Sequence, residues 1–200
     1  MSMALLVLRS RWSLSGTVSV APVDPLVGRV ASGDASAVAE VYDQHHAQIR
    51  AFARSLVGND EVAEDLVHEV FLSLPSAAKR FKNNSSLRTF LMSIAVNHAR
   101  HHVRGAMRRR RAMERLSHEP LRPSADPEGS FARRQLAQAL TRALDSLPID
   151  QRVAFILCEV EERSAAEVGG IVSAPEATVR TRLFHARRKL REQLEKEGVR

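Results

Sequence analysis

The side chains best placed to do chemistry in this sequence are arginines. Five arginines and one lysine fall between Arg180 and Arg191, behind a run from Ser164 that reads as a helix and a tight turn at Ser173-Ala174-Pro175. A guanidinium neutralises phosphate and can grip a guanine edge with two parallel hydrogen bonds. A helix, a short turn and an arginine-loaded second helix form the pattern of a helix-turn-helix whose second helix enters the DNA major groove. At about 100° per residue, Val179, Leu183, Ala186, Leu190 and Leu194 share a stripe that should pack inward. The other face then carries Thr181, Phe184, His185 and Arg188, with Arg180, Arg182 and Arg187 flanking the stripe. Phe184 suits a thymine methyl and Arg180 a guanine edge, while Thr178 and the free amides at the helix start suit phosphate. The competing reading is a solvated basic surface helix, and the ordered helix and turn in front of it argue against that. Gly169 and Gly170 cost helix propensity, which close approach of the two helices would explain.

A second basic block lies upstream, from Asn84 to Arg111, where arginine and histidine mix with Phe90, Asn84 and Asn97. Arginine for phosphate beside aromatics and amides for unstacked bases points to single-stranded contact. His98, His101 and His102 lie about one turn apart, but no carboxylate or cysteine near them completes a metal set, and the eight histidines show no HExxH spacing. No metal, cofactor or catalytic residue is expected. From Val70 to Met113 there is no Asp or Glu among ten Lys and Arg, which leaves no carboxylates beside the basic surface to hold the magnesium of a nuclease.

The signs are sorted, not interspersed. Asp60 to Glu69 holds five acids and no Lys or Arg, in a chain whose formal net charge is +7. One face is thus offered to polyanions and another to a basic protein surface. The single cysteine, Cys158, can form no internal disulfide and reads as a small core residue of a protein in a reducing cytoplasm. No apolar run approaches a membrane span, and the patch from Ala4 to Leu8 is too short for a signal peptide.

The elements that must position these groups read as helices throughout, with no strand signal or repeat. The expected fold is all-α, two small helical domains joined by a flexible linker, the second a helix-turn-helix domain. Residues 1–24 read as a loose extension, 25–113 as the first domain, 114–130 as a Pro- and Ser-rich linker and 131–200 as the second domain. Asp34 is expected to cap a helix, Gly58-Asn59-Asp60 to stop one and start the next, and Ser85 or Ser86 to cap the basic one. The helix from Asp60 places Leu66, Val67, Val70, Phe71 and Leu74 on one face, and Pro75 should end or kink it.

Four ordered blocks resemble the sigma-70 family, and within it the extracytoplasmic-function (ECF) group: Ala63-Glu-Asp-Leu-Val-His-Glu-Val-Phe-Leu72, Ser85 through Ala99, Leu144-Asp-Ser-Leu-Pro148, and Ala174 through Arg187. The resemblance spans roughly Leu26 to Glu195. It implies a bacterial transcription initiation factor without a catalytic site, whose partners are core RNA polymerase and promoter DNA, with no small-molecule substrate and no membrane insertion. It implies that Asp65, His68, Glu69 and Leu72 dock on the polymerase clamp helices. Asn97, His98 and Arg100 would capture a flipped base of the −10 element, with Arg104, Arg108, Arg109, Arg110 and Arg111 on nearby phosphates. Arg180, Thr181 and Phe184 would read the −35 element, with Thr178, Arg182, His185 and Arg188 on the same DNA-binding surface. An anti-sigma factor as a further partner is admitted by the resemblance, but no residue singles one out. The chain departs from the family pattern at Pro75, at His68, and at Leu87, Phe90 and Met92, where larger aromatics are common. The alternative is a free-standing helix-turn-helix regulator binding operators as a dimer, for which no heptad seam or ligand pocket is evident.

Overall fold

The computed structural model describes residues 25–81, 85–114 and 139–196, apart from the side chains of 107–114. The expected extension at 1–24, nearly all of the linker and the side chains of Arg108 to Arg111 lie outside the described residues. All regular structure among the described residues is helical. The first domain holds α1 (Pro25–Ala31), α2 (Ala35–Val57), α3 (Asp60–Ala78) and α4 (Leu87–Glu114). The second holds α5 (139–145), α6 (Ile149–Phe155), which runs into a π-helical turn at Ile156–Val160, then α7 (Ala165–Val172) and α8 (Glu176–Lys196).

Local chemistry sets the boundaries. Asp34 Oδ1 accepts from the Ser36 and Ala37 amides at 2.9 and 3.3 Å, satisfying two of the donors a helix start leaves free. Gly58 closes α2 in the left-handed region (φ 72°), and Asn59 opens α3 by accepting from the Val62 amide at 3.0 Å. Of the two serines before α4, Ser86 provides the cap, accepting from the Thr89 amide at 3.2 Å. Pro75 does not end its helix: α3 continues through it to Ala78. The proline costs the amide donor that would have reached the Phe71 carbonyl, and burial of Leu74 and Ala78 on either side of it offsets that cost.

The apolar stripe of α3 is buried as its spacing requires, with Leu66, Val67, Val70, Phe71 and Leu74 all in the core. Each large side chain of this kind contributes about 1.5–3 kcal/mol. The basic helix α4 is buried on more than one side. Leu91 and Ala95 are in the core, and so are Met92, Val96 and Ala99. The reason is that α4 packs against α2 and α3 of its own domain and also against α6 and α7 of the other. The two domains therefore share a continuous apolar cluster running from Leu26 to Leu190. Cys158 is only half-buried, packed against the edge of this cluster.

Candidate nucleic-acid and polymerase interface

The turn before α8 is fixed by two local constraints. Ser173 adopts a left-handed backbone (φ 54°), and the Ala174 amide donates to the Gly169 carbonyl at 3.0 Å. A Cβ on Gly169 would lie 2.7 Å from the Ala174 carbonyl oxygen, so the turn folds back onto bare backbone there. Gly170 has open space around it, so the expected close approach applies to Gly169 alone. At the start of α7, Ser164 and Glu167 form a reciprocal capping box.

These constraints aim α8. Val179, Ala186 and Leu190 are buried, with Leu183 and Leu194 partly so, which turns the opposite face to solvent. On that face Phe184 is 62% exposed, Thr181 and Arg188 are exposed, and the Arg180 side chain is 72% exposed, paired lightly with Glu176 one turn back. Thr178 and His185 are intermediate, at the margin. Thr181 Oγ1 donates to the Ala177 carbonyl, which orients its methyl and leaves the hydroxyl oxygen free to accept. Arg187 is tied to Glu159 of the π-helical turn, its Nε donating at 3.0 Å. Arg182 differs from its neighbours: it turns back to Asp150 at the start of α6.

On α3, Asp65, His68, Glu69 and Leu72 are all exposed. Leu72 is 82% exposed, an apolar side chain one turn beyond an exposed Glu69, a combination that suits docking on a basic partner. On α4, Asn97 and Arg104 are exposed. His98 is not free: Nδ1 lies 3.0 Å from Glu69 Oε2 and Nε2 lies 2.9 Å from Ser73 Oγ, so α3 holds the ring. Arg100 is withdrawn further. Its side chain is 14% exposed, and both Nε and a terminal nitrogen lie 2.8 Å from Asp150 Oδ1 in the second domain.

Sequence patterns missed the residues that join the domains. Arg88 reaches Glu161 at 2.7 Å, and burial pushes the Glu161 carboxyl up while Arg88 and Arg163 pull it down. Arg152 is buried and crosses to the first domain, donating to the Leu56 carbonyl at 2.8 Å while pairing with Asp145 at 2.9 Å. Burial pushes the Arg152 guanidinium down, and Asp145 opposes that shift. Asp145 also stands over Gly58, where a Cβ would meet its carboxylate at 2.9 Å. Of the acids at this seam only Asp150 lies in the first turn of a helix, where an acid ordinarily answers the helix dipole; Asp145 ends α5 and Glu161 follows the π-helical turn, and nothing in the sequence marks either.

Among the described residues, no group of three or more His, Cys, Asp or Glu is arranged to hold a metal, and no helix is long and apolar enough to cross a membrane. The class that fold and surface define is a two-domain, all-helical protein with a helix-turn-helix whose second helix turns a basic face to solvent, and with a separate helix that exposes acids. The sigma-70 region 2 profile matches residues 41–109, and that for sigma-70, region 4 matches residues 137–190. The ECF RNA polymerase sigma-E factor of Escherichia coli K12 is 31% identical over 170 residues, covering 81% of this chain and 88% of that one. The ECF RNA polymerase sigma factor SigE of Mycolicibacterium smegmatis is 32% identical over 174 residues, covering 84% of this chain and 66% of the relative. Among solved structures, the sigma factor RpoE of Bartonella quintana, in complex with the anti-sigma factor NepR, superposes with a TM-score of 0.60 at 26% identity, over 78% of this chain and 95% of that one. CnrH in complex with the cytosolic domain of CnrY shares the fold, with a TM-score of 0.57 at 22% identity over 85% and 95% of the two chains. The chain belongs to the sigma-70 family of RNA polymerase sigma factors, in its ECF group. Its function is promoter recognition in transcription initiation, with core RNA polymerase and promoter DNA as partners, and the free-standing regulator is not favoured.

Proposed function

We propose that this sigma factor divides promoter recognition between two faces and anchors both through a third, without a catalytic step of its own. The exposed face of α8 carries the −35 reading, with Arg180, Thr181 and Phe184 on base edges and Thr178, Arg182, His185 and Arg188 on backbone or flanking positions. The basic surface of α4 carries the −10 element, with Asn97, His98 and Arg100 around a flipped base and Arg104 and Arg108 to Arg111 on phosphate. Asp65, His68, Glu69 and Leu72 dock on polymerase. The protein works in the cytoplasm on a stress- or signal-responsive set of promoters, with an anti-sigma protein as a further partner.

The observation that carries this reading is the pairing of an exposed Arg180 and Phe184 with a turn locked at Ser173 and Gly169. A surface helix that merely solvates the domain needs neither the fixed aim nor the exposed aromatic. The test is transcription in vitro from fragmented genomic DNA by core polymerase with and without the protein, followed by sequencing of transcript starts. New starts sharing two spaced elements are expected. No new transcript, with control sigma factors active, rejects the proposal.

A further inference from the structure

Both ring nitrogens of His98 are taken by α3. Glu69 Oε2 lies 3.0 Å from Nδ1, and Ser73 Oγ lies 2.9 Å from Nε2. Glu69 and Ser73 are four residues apart, so they project from one face of α3 and hold the ring from adjacent turns. Ser73 is itself fixed, its hydroxyl oxygen 3.1 Å from the Val70 carbonyl. The nitrogen edge of the imidazole therefore points at α3. The side chain is 27% exposed, and what it turns to solvent is its ring face and carbon edge. The order Ser–His–Glu is also that of a nucleophilic relay. Ser73 lies inside a helix, however, where the surrounding amides are spent on helical hydrogen bonds and cannot form an oxyanion hole.

An imidazole can meet an unstacked base in two ways. Its nitrogens can hydrogen-bond a base edge, or its face can stack on the base. With both nitrogens engaged by α3, stacking is the mode left to His98. Stacking contributes about 1–3 kcal/mol per base and depends little on which base it is. Asn97 and His101, one turn apart on α4, are exposed next to this ring. The Asn97 amide supplies the donor and acceptor that reading a base edge requires.

We infer that Ser73 is a positioning residue for −10 recognition: together with Glu69 it occupies both nitrogens of His98, so that the ring supports an unstacked base by its face and leaves the reading of base identity to its neighbours. Ser73 sits on the helix assigned to polymerase, yet acts through His98 on DNA. The inference rests on the assignment of α4 to the −10 element.

The test has two parts. In the first, long-range proton–nitrogen spectra of the full chain report the two ring nitrogens of His98. Ser73→Ala should change the Nε2 signal and leave Nδ1 as in wild type, and a Ser73→Ala spectrum identical to wild type would overturn the inference. In the second, core polymerase carrying each variant is sorted against fork-junction duplexes whose single-stranded −10 region is randomised. His98→Ala should weaken binding by about tenfold, alike for all four bases at the position the ring supports, and His98→Phe should restore it to within about twofold. Ser73→Ala frees Nε2 and should shift base preference at that position by about threefold, the worth of one hydrogen bond. Ser73→Thr, which keeps the hydroxyl, should retain the wild-type preference. A purely structural Ser73 would lower the melting temperature and leave base preference unchanged, which overturns the inference. So does a His98→Phe as weak as His98→Ala, or a His98→Ala that loses one base selectively. These outcomes leave α4 on the −10 element. Binding by His98→Ala unchanged on every sequence removes His98 from that element and the inference with it, and absence of any sequence selection by the wild-type holoenzyme rejects the underlying assignment itself.

Discussion

Glu69 and His98 meet at 3.0 Å between a carboxylate oxygen and Nδ1, and so join the helix assigned to polymerase with the helix assigned to the −10 element. A change at Glu69 therefore acts on both. Leu72, one turn further along α3, has no such partner and isolates the docking surface. Leu72→Ala is expected to weaken binding to core polymerase by about 1–3 kcal/mol and to leave thermal stability unchanged, because the side chain is already in solvent. Pulldown or competition against a labelled sigma factor measures the first, and differential scanning calorimetry the second. Unchanged competition would remove Leu72 from the interface.

The reading helix allows a contrast between specificity and anchoring. Arg180→Ala should cost about 1–3 kcal/mol at one base position of the −35 element and relax selection there. Arg110→Ala should weaken binding to every sequence alike and flatten its salt dependence. Holoenzyme binding to a promoter library at two salt concentrations tests both. Equal losses on all sequences for the two variants would reject the division of roles.

Gly169 and Gly170 are neighbours with opposite expected behaviour. Gly169→Ala places a methyl against the Ala174 carbonyl and should destabilise the second domain by about 1–3 kcal/mol. Gly170→Ala meets nothing and should stabilise α7 by about 0.5–1 kcal/mol, through the lower chain entropy of alanine. Urea melts of the two variants decide the matter, and destabilisation of equal size would show that the turn is not held at Gly169.

Asp34 supplies a pH signature. Hydrogen bonds from Ser36 and Arg29, with the cap amides, hold its carboxyl down at about 2, against an ordinary 3.8. A carboxyl depressed in the folded state stabilises above its unfolded value and loses that contribution as pH falls toward the folded value. Asp34→Ala should therefore melt below wild type near neutral pH. The gap should close as the pH is lowered from about 4 to about 2. A gap independent of pH over that range would assign the effect to packing instead of charge.

Much of the fold was legible because it rests on local rules. Asp34, Gly58, Asn59 and Ser86 announce their helix boundaries by residue type, and the stripes of α3 and α8 follow from spacing. The outward face of α8 was equally readable, since burying Val179, Ala186 and Leu190 leaves Phe184 and Arg180 nowhere else to go. What sequence could not supply was long-range pairing. Arg100 reads as a DNA contact, nothing in the sequence singles out Asp150, and no pattern along the chain says that they meet across fifty positions. The second buried side of α4 was missed for the same reason, because its covering comes partly from the other domain. Pro75 misled because the burial of Leu74 and Ala78 beside it outweighs the local cost of the proline, and that burial comes from packing, not from the residue itself.

Arg152 carries a further consequence for anyone recombining such factors. Its guanidinium terminates a helix of the neighbouring domain at the Leu56 carbonyl, so each half of the molecule completes the other. Grafting the second domain onto a foreign first domain would leave this cation facing an unmatched surface. Chimeras should then differ in how readily they unfasten, even where every DNA-touching residue has been preserved.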